Sequence, residues 1–108
     1  MVKIDFFRKD GYIVKGEFNG HAEFSEGDDI VCASASSVAF AILNGIENVL
    51  DLCFGYETGD GYLFFVLPGD MNKEMSDKVN ILTETLFLFA KELESQYPAN
   101  VKVTELEV

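Results

Sequence analysis

The sequence predicts an α+β fold in the order ββαββαβ, with a mainly antiparallel sheet and two helices. Two pairs of strand-like segments each flank a glycine-containing turn, and two longer stretches carry apolar residues at spacings of three and four. Strands that run consecutively and are joined by tight turns pair antiparallel, which gives the sheet its expected character. We expect residues 1–108 to form one domain, because a chain of this length supports a single hydrophobic core.

The strands are predicted from alternation and turn chemistry. Residues 2–8 and 12–18 form a hairpin about Lys9-Asp10-Gly11, since an Asp-Gly pair suits the positive φ angles of a short turn. Residues 54–58 and 62–67 form a second hairpin about Gly59-Asp60-Gly61 by the same reasoning. The alternation of apolar and polar residues over 101–108 predicts the last strand.

The helices follow from periodicity and from the residues at their ends. The first is predicted from about residue 29 to 51, with Asp28 or Asp29 as its N-cap. The second is predicted from Ser76 or Asp77 to a stop at Pro98, after a polar connection. Both helices are expected to cover one face of the sheet. The remaining apolar strand positions suggest a homodimer interface, although strands in so small a domain can also pack these side chains internally. These positions are Phe7, Ile13, Phe64 and Phe65.

The net charge and the composition of the chain indicate which classes of partner it binds. Eight basic against nineteen acidic residues give a formal net charge of −11, which disfavours nucleic acid as a direct partner and favours a basic protein. The same charge is also explained by solubility alone. No stretch reaches about 18 consecutive apolar residues, and the strand-like N-terminus shows no signal peptide, so we expect a cytoplasmic protein that does not bind membranes.

A thiol and an imidazole stand close together in the chain. His21, the only histidine, precedes Cys32 by eleven residues, and the predicted helix places Cys32 in its first turn. Unpaired N–H groups and the helix dipole there favour a thiolate and can hold an oxyanion. The small residues 33–37 either let the helix backbone pack closely against another backbone or leave room beside the thiol for a peptide. We expect Cys53 to be a buried thiol. A single helix between Cys32 and Cys53 would hold them on the order of 30 Å apart at roughly 1.5 Å per residue, which excludes a disulfide. We expect no metal site, because three Cys and His residues are too few for structural zinc, and no cofactor.

The motifs around this pair resemble the ribosomal-processing cysteine proteases known as the Prp family. The resemblance rests on Gly20-His21-Ala22 and on Asp29-Ile30-Val31-Cys32-Ala33 with Ser36 after it. It continues along the chain through three further motifs, which are Asn44-Gly45-Ile46-Glu47, Asp60-Gly61-Tyr62 and Gln96-Tyr97-Pro98. The resemblance implies that His21 and Cys32 form a catalytic dyad. It also implies an endopeptidase that removes the N-terminal extension of the large-subunit ribosomal protein L twenty-seven, cutting after an aromatic residue.

Three supporting residues and two other functions remain open at this stage. Gly20, Asp29 and Ser36 are candidates to support the dyad or to bind substrate, although an Asp at a helix start can simply cap it and a helical Ser can bond a preceding carbonyl. One alternative function is a non-catalytic, acidic, dimeric module that binds a basic ribosomal protein or assembly factor. Another is a redox-sensing thiol at Cys32, since an activated cysteine is also readily oxidised.

Overall fold

The computed structural model describes residues 1–20 and 26–108, apart from the side chains of residues 26–29. In chain order the elements are β1 (Val2–Lys9), β2 (Tyr12–Gly20), α1 (Glu26–Asn44), a π-helical turn (Gly45–Val49), β3 (Gly55–Gly59), β4 (Tyr62–Val66), α2 (Lys73–Gln96) and β5 (Val101–Glu107). The predicted order ββαββαβ is therefore confirmed, as is the α+β class. His21 to Ser25 lie outside the described residues.

The five strands form one sheet in the order β3-β4-β2-β1-β5. Three of the four pairings are antiparallel, and only β5 runs parallel to its neighbour β1. The first hairpin turns at Asp10 and Gly11, whose φ angles of 52° and 86° are both positive, as a two-residue turn of this kind requires. Gly61, with a φ of 73°, has the same role in the second hairpin.

Both helices pack on one face of the sheet, as predicted. The hydrophobic core lies between the sheet and the two helices. Alternate strand residues supply the core from below, and one face of each helix supplies it from above. The largest fully buried side chains are Phe6, Phe65, Ile4, Ile13, Ile46, Leu86, Val31, Val79 and Val101. The other face of the sheet has no helix packed on it among the described residues.

Two residues assigned to the exposed face of the sheet are in fact core residues. Phe65 is 0% exposed because it alternates with the outward-facing Phe64 and lies over Gly16 of the next strand. Ile13 is 2% exposed, because a register shift between Phe7 and Arg8 turns its side chain toward α2. Phe7 and Phe64 remain half-buried on the open face, so the predicted dimer surface retains two of its four members.

The helix boundaries differ from the predictions for local reasons. α2 begins at Lys73, before the predicted Ser76 or Asp77, because the Asn72 side chain accepts a hydrogen bond from Met75 N at 2.8 Å and caps the helix. α1 begins at Glu26, so Asp28 and Asp29 lie inside the helix and the predicted N-cap at either residue is wrong. The π-helical turn that continues α1 ends with Leu50 as its C-cap, and Asp51 follows with a φ of 57°.

The segment Ile30–Val49 is long and apolar enough to cross a membrane by length and composition alone. In this fold one side of it packs on the sheet, with Val31, Ala35 and Ala39 almost fully buried. A core helix of a soluble protein passes the same test, so one such segment is weak evidence for a membrane span.

Candidate active site

Cys32 lies in the second turn of α1 and not in the first. The helix begins at Glu26, so Cys32 is its seventh residue. In an α-helix only the first four N–H groups lack a partner, so the N–H of Cys32 belongs to the regular ladder. The prediction that first-turn N–H groups surround the thiol is therefore wrong, because Glu26 and Gly27 extend the helix backwards beyond the first apolar residue.

The Cys32 side chain is half-buried and lines a cleft open to solvent. The cleft has a volume of about 40 Å³. Three parts of the fold form its walls. These are α1 with Cys32, Ala35 and Ser36, the strands β1 and β2 with Val2, Phe18, Asn19 and Gly20, and the β3–β4 hairpin with Gly59, Gly61, Tyr62 and Leu63.

Gly20 closes β2 at the rim of this cleft. Its backbone N–H donates to the carbonyl of Gly61 at 2.8 Å, which ties the end of β2 to the turn of the second hairpin. A Cβ atom at position 20 would lie only 2.8 Å from Val2 Cα, so the strands can approach this closely only because the residue is glycine. His21 follows Gly20 in the chain and lies outside the described residues, so the dyad of His21 and Cys32 stays a prediction.

The two other supporting candidates lie on α1. Ser36 is half-buried, one turn after Cys32, and lines the same cleft. Asp29 lies in the helix one turn before Cys32, and its side chain is outside the described part of the structure. The sequence left open whether the small residues of this helix allow close packing or leave room beside the thiol. Ala35 does both, because it is 4% exposed in the core and also borders the cleft.

Cys53 is exposed, so the prediction of a buried thiol is wrong. The helical segment ends at Leu50, and the left-handed residue Asp51 turns the chain away before Cys53 is reached. Cys32 and Cys53 are both free thiols. Burial therefore does not favour reaction of a thiol reagent at Cys32, since Cys53 is the more accessible of the two thiols.

The hairpin wall of the cleft is the part that sequence reasoning missed. Asp60-Gly61-Tyr62 was assigned only to a turn, although it belongs to the motifs that carry the family resemblance. Tyr62 is 38% exposed, and its hydroxyl donates a hydrogen bond to Glu57 on β3. This bond raises the pKa of Tyr62, because the neighbouring carboxylate stabilises the protonated phenol. Residues 1–20 and 26–108 contain no group of three or more His, Cys, Asp or Glu that could hold a metal ion.

Comparison with known proteins identifies the family. The family model for the cysteine protease Prp matches residues 1–102, which is nearly the whole chain. This chain belongs to the Prp family of cysteine proteases. A relative from Bacillus subtilis, named ribosomal processing cysteine protease Prp, is 34% identical over 99 residues, covering 85% of each chain. A Staphylococcus aureus relative of the same name is 28% identical over 107 residues, covering 95% of this chain and 97% of the relative.

Solved structures show the same fold. A Streptococcus mutans protein is similar with a TM-score of 0.84 and 28% identity, covering 100% of this chain and 96% of that one. Prp from S. aureus with a covalently linked product peptide has a TM-score of 0.81 and 26% identity, covering 97% of this chain and 99% of that one. The complex of the S. aureus protease with a substrate peptide has a TM-score of 0.84 at 23% identity, over the same shares of the two chains, and supports the fold alone.

Proposed function

We propose that this cysteine protease is a ribosomal processing endopeptidase in which Cys32 is the nucleophile and His21 the general base and acid. One observation carries the assignment to these residues. The Cys32 side chain lines a cleft whose facing rim is Gly20, the residue that immediately precedes His21 in the chain. The match of residues 1–102 to a cysteine protease family supports the choice of a thiol nucleophile.

The reaction divides into two steps that need only these two groups and water. His21 accepts the thiol proton, and the Cys32 sulfur attacks the scissile carbonyl, forming a thioester as the peptide C–N bond breaks. The imidazolium gives its proton to the departing amine. His21 then takes a proton from water, the resulting hydroxide attacks the thioester, and the new carboxyl group leaves while the proton returns to the thiol.

The substrate that we propose is the large-subunit ribosomal protein L twenty-seven, with cleavage after an aromatic residue in its N-terminal extension. The related proteins from B. subtilis and S. aureus are named ribosomal processing proteases, and the S. aureus protease has been solved with a covalently linked product peptide. The cleft is small and bordered by apolar side chains, among them Phe18, Leu63 and Tyr62, which suits an apolar side chain next to the cut bond.

The remaining assignments are proposals of the same kind. Ser36 contacts bound substrate from its place in the cleft wall, and Gly20 allows the close approach of strands at the rim. Asp29 supports His21. The protease acts in the cytoplasm on a basic ribosomal protein, without binding nucleic acid or membrane directly. It forms a homodimer through the open face of the sheet, where Phe7 and Phe64 are only half-buried.

The test is cleavage of a peptide with an apolar stretch ending in Phe-Phe-Ala, followed by mass spectrometry. Cys32→Ala and His21→Ala are each expected to lower kcat/KM on the order of 10³-fold or more, because a nucleophile and its base act as a unit. Cys53→Ala is the matched control, since it removes the other thiol at an exposed position, and it should cleave normally. Near-normal turnover by His21→Ala would disprove the dyad. Peptide binding without any cleavage by the wild-type protein would favour the non-catalytic module.

A further inference from the structure

The strand β3 is an uncovered edge of the sheet. It is the first strand in the order β3-β4-β2-β1-β5, so only one of its sides is paired, and that partner is β4. All five of its residues, Gly55–Gly59, are exposed. Natural sheets commonly protect an edge with proline, lysine, a bulge or a covering element, because an open edge pairs with other chains. The sequence of β3 contains neither proline nor lysine.

The opposite edge of the same sheet is protected. On β5 the N–H of Val103 donates to the Glu94 carboxylate of α2 at 2.8 Å, which occupies an edge group that an added strand would need. α2 also packs against β5. The two edges therefore differ, because α2 covers β5 and bonds one of its outward N–H groups, whereas all five residues of β3 are exposed.

The unpaired groups of β3 can be assigned from its hairpin. Gly59 and Tyr62 flank the two-residue turn and are partners in the ladder, so the hydrogen-bonded positions of β3 are Gly55, Glu57 and Gly59. Tyr56 and Thr58 then point their N–H and C=O groups away from β4. Within the described part of the chain no backbone hydrogen bond reaches these groups from another element.

This open edge leads directly into the Cys32 cleft. Gly59, the last residue of β3, lines the cleft, and so do Gly61 and Tyr62 beyond the turn. The strand has five residues, about 17 Å of extended chain at roughly 3.4 Å per residue. A peptide that pairs along β3 would therefore be held in an extended conformation with its end next to the half-buried thiol.

We propose that β3 binds the substrate peptide as an additional strand, with Tyr56 and Thr58 exchanging backbone hydrogen bonds with alternate residues of the substrate. Strand addition of this kind takes its affinity from the main chain and tolerates many side chains. The inference rests on the proposed endopeptidase function. The Tyr56 side chain, 44% exposed and 5.3 Å from the Phe54 ring between centroids, gives the added strand an apolar contact.

The protein-side test removes one outward-facing backbone N–H from β3. A second variant at the same position changes the side chain but keeps the N–H. Thr58→Pro lacks the donor, whereas Thr58→Val keeps it, and Glu107→Pro places a proline at the far, β5 edge of the sheet. We expect Thr58→Pro to raise KM by up to about tenfold with little change in kcat, since one net backbone hydrogen bond to the substrate is lost. Thr58→Val and Glu107→Pro should keep KM within about twofold of the wild type.

The substrate-side test needs no variant to fold. Peptides N-methylated at one backbone position at a time are measured for binding by fluorescence anisotropy, using Cys32→Ala to prevent cleavage. Strand addition predicts weaker binding at every second position, because alternate N–H groups face β3 and the others face solvent. Uniform binding across the series would overturn the inference, as would an unchanged KM for a folded Thr58→Pro protein.

The two proposals fail in different ways. If the wild-type protein cleaves the peptide but shows neither the KM effect nor the two-residue period, the endopeptidase stands and strand addition to β3 is wrong. If it cleaves nothing yet binds the N-methylated series with the two-residue period, the edge binds peptide and the proposed function is wrong.

Discussion

Two glycines of β2 shape the molecule through the side chains that they lack. Gly16 lies under the Phe65 ring, which is fully buried, and Gly20 lies against the backbone of Val2 at the rim of the cleft. Neither has a positive φ, so their role is close approach and not an unusual backbone conformation. Packing of the core and the close approach of β1 and β2 at the rim of the cleft thus both depend on the absence of a side chain at one position of β2.

Replacing Gly16 with alanine should destabilise the protein by about 2 kcal/mol, because the new methyl group overlaps the Phe65 ring and the filled core has no space to receive it. Gly69→Ala is the matched control. A Cβ at position 69 meets no atom within 4 Å, so this variant should be neutral or slightly more stable. Urea unfolding of the three proteins measures the difference. Equal midpoints for Gly16→Ala and the wild type would show that Phe65 moves aside at no cost.

At the scale of elements, Arg8 joins β1 to α2 and β5. Its guanidinium donates to the two carboxylate oxygens of Glu84 at 2.8 and 2.7 Å and to Glu105 at 2.7 Å. It also lies 5.0 Å from the centroid of the Phe87 ring. A two-pronged arginine–carboxylate pair of this kind fixes orientation as well as adding energy. The pair therefore sets the position of α2 on the sheet.

The pair predicts an acid-sensitive part of the stability. Hydrogen bonds from Arg8 hold the pKa of Glu84 below its usual value of 4.5. A carboxylate whose pKa is lowered by folding adds stability above that usual value, and this stability is lost as the pH falls through the lowered pKa. Glu84→Gln should therefore be less stable than the wild type at neutral pH, and the difference between the two free energies of unfolding should shrink as the pH falls below 4.5 and through the lowered pKa of Glu84.

Chemical unfolding across this pH range checks the prediction. Glu74→Gln, at an exposed residue in the first turn of the same helix, is the control and should follow the wild type at every pH. A difference between Glu84→Gln and the wild type that does not shrink from neutral to acid pH would contradict the prediction, because it could not come from the ionised carboxylate of Glu84. Equal stability of the two proteins at every pH would mean that Arg8 stabilises by packing on Phe87 alone.

The elements differ in how far the sequence predicts them. Asp10 and Gly11 predict the first hairpin, because few residue pairs accept two positive φ angles in a row. The start of α1 is not visible in the apolar periodicity, since Glu26 and Gly27 precede the first apolar residue of the stripe, Ile30. The π-helical turn at Gly45–Val49 departs from the 3.6-residue repeat, so no periodic pattern can locate it.

At the scale of the whole molecule, the cleft exists only because the topology brings three distant segments together. The pairing of β2 with β4 places the turn at Gly59 and Gly61 beside Gly20, and α1 lies across them with Cys32. Sequence motifs identified Cys32, Ser36 and Gly20. The hairpin wall could not be assigned from local spacing, because Gly59 follows Gly20 by 39 residues and Cys32 by 27, and the hairpin reaches the site through strand order alone.

The net charge of −11 also acts at this scale and leads to a salt dependence. A basic ribosomal protein is attracted over distances that salt screens, about 10 Å at 0.1 M, whereas contacts inside the cleft are shorter than this. Raising the salt concentration should therefore slow association with a substrate that carries a basic tail, and leave kcat/KM for a short neutral peptide with the same cleavage sequence almost unchanged. Stopped-flow association and peptide cleavage across a salt series measure the two quantities. An equal loss for both substrates would show that the acidic surface does not steer the substrate and serves solubility only.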